Sequence, residues 1–135
     1  MIPAGVRIFV CTAPVDMRYG FDRLAQVARE RIGQDPVEGG ALFIFSGRKA
    51  TRLKVLWFEG RGLCMLYKRL HQAIFEMPLG EGDAGSVRID AAGLARLLAG
   101  VPRAKIVDGE SISAWLEKLS EKLDESIRIR HLSKA

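Results

Sequence analysis

The chain has 135 residues, 48% of them hydrophobic and 27% charged, which is ample apolar material for one packed domain with a terminal extension and excludes a disordered polymer. Lys and Arg outnumber Asp and Glu by 21 to 16, a formal charge of +5, and that excess favours an anionic partner, nucleic acid being the commonest. Two cysteines and two histidines occur without any CxxC, HxxxH or HExxH spacing, so no zinc motif is present and no metal or other cofactor is expected.

The opening MIPAGVRIFV is interrupted by Arg7 and lacks the long apolar core of a signal peptide. No run of about 18 apolar residues is available to span a bilayer, so the expected location is the cytoplasm, without a membrane partner. Val6–Cys11 (VRIFVC) reads as a first strand, with Pro3 and Gly5 before it and Pro14 after it, because proline removes a ladder donor. Cys11 here and Cys64 later sit among apolar neighbours and are read as buried free thiols rather than a disulfide or a ligand pair.

A loop from Val15 leads into a helix over Phe21–Ile32, where Phe21, Leu24, Ala25, Ala28 and Ile32 share one face at helical period. Arg23, Arg29, Glu30 and Arg31 fall on the wet side. Gly33 is a left-handed stop and Pro36 blocks continuation. Asp35-Pro36 and Gly39-Gly40 return the chain towards the next strand.

The stretch Leu42–Leu70, LFIFSGRKATRLKVLWFEGRGLCMLYKRL, is the most apolar and the most basic part of the chain at once. Leu42–Phe45, Leu53–Phe58 and Leu63–Tyr67 are rich in aromatic, branched and large aliphatic residues, which suit a pleated, buried surface. The gaps Ser46–Arg52 and Glu59–Gly62 contain glycine and read as hairpin loops. A three-stranded antiparallel meander is therefore predicted. Arg48, Lys49, Arg52, Lys54, Arg61, Lys68 and Arg69 in this stretch face one acid, Glu59. Such cations either solubilise loop tips or grip phosphates, and the residues themselves leave both readings open.

Ala73–Met77 fits a short strand or a helical turn and ends at Pro78. Gly80–Gly85 is a polar, glycine-rich loop and Ser86–Ile89 a further short strand. Asp90 is placed to cap a helix at Ala91–Ala99, with Ile89 and Leu94 at hydrophobic-staple spacing and with Gly100 and Pro102 as its stop. Composition shifts over Val101–Gly109. Beyond it Ile112, Trp115, Leu116, Leu119, Leu123 and Ile127 form one apolar stripe, predicting an amphipathic helix at about Glu110–Ile127 with Asp108 as cap. That stripe is core, or the docking face for a partner chain or a second copy. The tail holds Arg128, Arg130 and Lys134 without an acid, a solvated end or a nucleic-acid arm.

Catalytic chemistry finds little support. Two-metal phosphoryl transfer needs convergent carboxylates, and Asp16, Asp22, Asp35 and Glu59 show no spacing that implies convergence. Asp16 and Asp22 fit the start of the helix, where negative charge meets the positive end of the dipole. Asp16 and Arg18 are one residue apart and suited to orient each other. Ser46 has no histidine near it, the histidine pair that would accompany Tyr19 or Tyr67 as a DNA-attacking nucleophile is missing, and no phosphate loop occurs.

VDMRYGFDRLA (Val15–Ala25) resembles a D-M-R-x-G-F-D-x-L-A signature, and Leu42–Leu70 resembles the block L-F-x-F-x-x-R-x-x-x-x-K-x-L-x-W-x-x-G-x-G-x-x-x-x-x-K-R-L. Phe75, Pro78 and Val87 through Leu98 with Gly100 follow the F-x-x-P … L-L-x-G ending of the same family. It is the small accessory protein of the insertion sequence 66 transposons, TnpB, the product of their second reading frame. The resemblance runs over about residues 2–100 in consistent order. It implies a bacterial, non-enzymatic protein needed for transposition beside a separate, larger transposase, which carries the catalytic acids of DNA recombination. The signature positions in this chain are Asp16, Met17, Arg18, Gly20, Phe21, Asp22, Leu24, Arg48, Lys54, Trp57, Gly60, Gly62, Lys68 and Arg69, and the resemblance assigns none of them a catalytic role. Glu59-Gly60 replaces the family's Asp-Gly, which favours a loop longer than two residues before the third meander strand. The segment after Pro102 extends past the common block.

The expectation is thus an α+β fold, a mainly antiparallel sheet of about five strands with two covering helices, forming a domain over residues 1–102, and a C-terminal extension over 103–135. The leading function is an accessory factor whose Arg48, Lys49, Arg52, Lys54, Arg61, Lys68 and Arg69 contact the phosphates of transposon-end DNA, with the transposase as a second partner. Alternatives are a protein-binding adaptor, using the sheet and the Ile112–Ile127 helix on the transposase or on a second copy, and a Mg²⁺ nuclease using Asp16, Asp22 or Glu59.

Overall fold

A computed structural model describes residues 5–80, 82, 84–102 and 120–121. By its internal contacts the chain divides into two units, Met1–Pro102 and Arg103–Ala135, and the elements below belong to the first. Strand β1 (Arg7–Cys11) is followed by helix α1 (Phe21–Val27), which continues as a π-helical turn over Ala28–Ile32. A 3₁₀ turn at Pro36–Glu38 leads into β2 (Ala41–Ser46), β3 (Arg52–Glu59) and β4 (Gly62–Arg69). Then come β5 (Ala73–Ile74), β6 (Ser86–Ile89), helix α2 (Ala91–Ala99) and β7 (Val101–Pro102).

Five strands form one sheet in the order β4-β3-β2-β1-β6. The predicted meander is its antiparallel half: Phe43 lies opposite Leu56, and Leu56 opposite Met65. The other half departs from a plain meander, because β1 pairs with β2 in parallel and with β6 antiparallel. Parallel neighbours need a crossover, and the crossover here carries α1 and its π turn, so the connection between β1 and β2 also supplies one covering layer. The segment after β4 resolves as a two-residue strand, β5, paired with β7. Val101–Pro102, read from sequence as the end of a helix and the start of a linker, therefore closes a small second ladder.

Alternation along the strands sends apolar side chains to both faces. On one face Phe9, Cys11, Phe43, Phe45 and Leu56 meet Leu24, Ala25, Val27 and Ala28 of the helix. On the other Ile8, Val10, Ile44, Leu53 and Val55 meet Phe75 and, from α2, Leu94 and Leu97. The result is a sheet with one helix on each side. Of the periodic residues, Leu24, Ala25 and Ala28 are buried, Ile32 is half-buried and Phe21 stays 47% exposed at the helix start, while Val27, outside that reading, is buried as well.

Local signals account for the element ends. The helix ends in a π turn because the N–H groups of Gly33 and Gln34 both reach the Ala28 carbonyl, at 2.9 and 3.3 Å, and Gly33 then stops it. The Asp90 carboxylate accepts the Gly93 N–H at 2.7 Å, the expected cap, and Ile89 and Leu94 join one apolar cluster. Asp35 caps the 3₁₀ turn through the Val37 N–H. The β3–β4 connection corrects the sequence reading. Glu59 pairs with Gly62, which leaves a two-residue loop of Gly60 and Arg61. Gly60 has φ +62° and so takes the first central position of a II′-type turn; the acid before it is immaterial to that geometry. Cys11 is buried and Cys64 half-buried, both as free thiols. The helix expected at Glu110–Ile127, its Asp108 cap, the Trp115 stripe and the basic tail lie outside the described residues, apart from residues 120–121. Among the described residues no helix is long and apolar enough to cross a membrane.

Candidate nucleic-acid interface

The β2–β3 loop, the first residue of β3 and the last of β4 meet at one end of the sheet. Register sets Arg52 directly opposite Arg69, an arrangement of like charges that is unfavourable by itself. The loop holding Arg48 and Lys49 is pinned on its far side, where Leu70 N–H donates to the Thr51 carbonyl at 2.8 Å and Phe75 N–H to the Ala50 carbonyl at 2.6 Å.

The Val15–Tyr19 segment crosses the same end. Val15 N–H donates to the Ser46 carbonyl at 2.9 Å. Met17 lies so close to Gly47 that a β-carbon there would stand 2.8 Å from its Cγ. Lys54 fastens the segment from below. It is 6% exposed, its Nζ donates to the Tyr19 carbonyl at 2.8 Å, and it stands 4.8 Å from the centre of the Tyr67 ring. These pieces enclose a cleft of about 800 Å³ whose lining includes Arg31, Arg48, Lys49, Arg52, Arg69 and His71, with Asp16 the acid among the lining residues. The five Arg and Lys side chains are exposed, and among the described residues none of them lies in an ion pair with a carboxylate.

Asp16 is committed elsewhere. Its carboxylate accepts Arg18 Nε at 3.1 Å, Nη2 at 2.8 Å and the Arg18 backbone N–H at 2.9 Å. Those bonds, the guanidinium first, hold the Asp16 carboxyl down at about 2. The pair locks the loop into a tight turn and cancels the acid's charge, so the cleft keeps a net positive field. Asp16 therefore serves Arg18 rather than the helix start; α1 is preceded by Gly20, without a side-chain cap, and Asp22 occupies its first turn.

The remaining candidates lie apart from this cluster. Lys68 Nζ donates to the Leu98 carbonyl at 2.6 Å, tying β4 to α2 on the opposite face. Arg61 is exposed on the Gly60–Gly62 hairpin, at the other end of β3 from Arg52. Trp57 donates from Nε1 to Glu59 Oε2 at 3.3 Å. Asp16 lines the cleft at the Arg52 end of β3, whereas Glu59 closes the other end of that eight-residue strand, roughly 24 Å along it from Arg52. Among the described residues no group of three or more His, Cys, Asp or Glu gathers as metal ligands do. Two cleft residues were not singled out from the sequence. Arg31 belongs to the wet side of its helix, and only the parallel crossover reveals what that side fronts; His71 follows β4 with no motif around it.

Residues 6–107 match the family model described as IS66 Orf2 like protein. The chain is also similar to two uncharacterized proteins of Sinorhizobium fredii (strain NBRC 101917 / NGR234). With y4hO it shares 41% identity over 103 residues, 75% of this chain and 87% of that one. With y4jC it shares 32% identity over 74 residues, 55% of this chain and 62% of that one. No solved structure matches.

Proposed function

Since the chain belongs to the IS66 Orf2 like family, accessory proteins of a transposable element, we propose that it works in transposition by holding DNA at the basic cleft, beside the element's separate transposase and without catalysing strand transfer itself. The observation that carries this reading is the gathering of Arg31, Arg48, Lys49, Arg52 and Arg69 around one concavity, where the neighbouring acid already has its own arginine. Arg52 facing Arg69 across two strands is costly until an anion bridges them. A phosphate oxygen fits between two guanidinium forks, each able to present paired N–H donors.

Contacts of this kind position a duplex and carry no sequence information of their own. Arg48, Lys49, Arg52 and Arg69 form the contact set; Lys54 and Lys68 act inside the fold, and Arg61 stands away from the cleft. Four neutralised phosphates give a slope of about −3.6 for log affinity against log salt. Fluorescence anisotropy of a labelled transposon-end duplex over a salt series measures it. Saturable binding with that slope supports the reading, and no binding at low salt rejects it.

A further inference from the structure

We propose that β4 is a dimerisation edge, along which two copies of this chain pair antiparallel to make one continuous sheet. This goes beyond the reading of the cleft and does not depend on it. Among the described residues β4 is the outermost strand of the sheet on its side, eight residues long, in unbroken register with β3 from Arg52↔Arg69 to Glu59↔Gly62 and so without a bulge. Edge strands are ordinarily protected by charge, proline, bulges or shortness. Leu63-Cys64-Met65-Leu66-Tyr67 has none of these, and Leu66 and Tyr67 are 43% and 49% exposed. The opposite edge, β6, is four residues long and contains Arg88.

The backbone is set for a partner. Leu70 N–H donates to Thr51 in line with β3, so even-numbered β4 residues turn their polar groups towards β3 and odd-numbered ones turn them outward. Leu63, Met65 and Tyr67 therefore offer outward donors and acceptors. The occupant is a second copy because the apolar run is symmetric about Met65. A two-fold axis through Met65, normal to the sheet, sets Met65 against itself, Leu63 against Tyr67, and Cys64 against Leu66. It closes about six ladder hydrogen bonds. Any other register that keeps the faces matched sets a charge or the hairpin turn against an apolar residue. Paired this way, the two Arg69 positions lie on one face about 27 Å apart along the strands. Arg61 of each copy falls opposite Arg69 of the other, so added salt tightens the dimer by screening them.

Sedimentation equilibrium of the full chain without DNA tests the proposal, with Met65→Pro, Leu66→Lys and a Met65→Cys variant in a Cys64→Ser background. Met65 N–H points outward, so proline there removes no β3–β4 bond; circular dichroism checks that each variant is folded. The expected result is a wild-type dimer that tightens with salt and is weakened about tenfold or more by either substitution, since the bonds at its centre are lost or a charge enters the pairing. Met65→Cys then links to itself under copper–phenanthroline and dioxygen, which oxidise the two facing thiols to one disulfide. A wild-type monomer at high micromolar concentration overturns the proposal. So does a dimer that Met65→Pro and Leu66→Lys leave intact and Met65→Cys does not link; that result places the contact elsewhere, the C-terminal segment included. DNA takes no part in these measurements, so they fail or succeed independently of the cleft.

Discussion

Replacing Lys54 with methionine separates a cation that builds the cleft from the cations that use it. Methionine matches the length of the lysine stem but cannot donate to the Tyr19 carbonyl 2.8 Å away. A hydrogen bond from a charged donor contributes about 1.5–3 kcal/mol, and the ammonium over the Tyr67 ring about 0.5–2 kcal/mol more. Against that stands the cost of keeping an ammonium at 6% exposure, which methionine does not incur. The net expectation is a loss of about 2 kcal/mol, or roughly 8 °C in Tm for a domain of this size. Urea denaturation followed by circular dichroism gives the free energy, and the anisotropy salt series run on the same variant gives the slope. Lower stability with an unchanged slope is the predicted outcome. A variant as stable as the wild type, with a slope shallower by about 0.9, would refute the reasoning and make Lys54 a phosphate contact.

Three further outcomes follow from named contacts. The Arg52→Ala, Arg69→Ala double variant is expected to make the slope shallower by about 1.8 while leaving stability equal or slightly higher, because like charges no longer face each other; anisotropy and urea melts check both halves. Asp16 has a depressed carboxyl pKa of about 2 against an ordinary 3.8, so the Asp16–Arg18 lock is at full strength above about pH 4 and is lost as pH falls through about 2. The Arg18 Nε–H resonance should lose its shift over that window, at all pH values in Asp16→Asn, and global stability should hardly follow, because Arg18 is solvent-exposed. Gly100→Ala is expected to destabilise by about 1–3 kcal/mol in urea, since Gly100 has φ +74° and an added β-carbon would stand 2.6 Å from Leu70 Cδ1 and 3.2 Å from the Ile74 carbonyl.

Element identity was legible wherever apolar period and chain punctuation agreed. Val6–Cys11, the three meander runs, Phe21–Ile32 and Asp90–Ala99 each combine a clean pattern with a proline, glycine or capping residue at the boundary, and each forms the expected element. The pairing of distant strands was not legible. Nothing in VRIFVC or ALFIFS says that they run parallel, because both are buried on two faces and period alone does not give direction. That parallel pairing is what brings the Asp16–Arg18 turn, Arg31 and the β2–β3 loop to one end of the sheet. The lysines show the other limit. Lys54 inside LKVLWF carries a sequence hint of burial, a lone cation in an apolar run, whereas the tie from Lys68 to the Leu98 carbonyl depends on where α2 docks, thirty residues away. Charge counts by segment therefore mark a basic stretch without separating the cations that face outward from Lys54 and Lys68, which are held inside the fold.

The most direct test of the account is a nuclear magnetic resonance titration of arginine side chains with a transposon-end duplex. The account predicts that the Nε–H signals of Arg48, Arg52 and Arg69 shift together and saturate, while that of Arg61 moves little. Shifts confined to Arg61, or spread evenly over every exposed arginine, would contradict it.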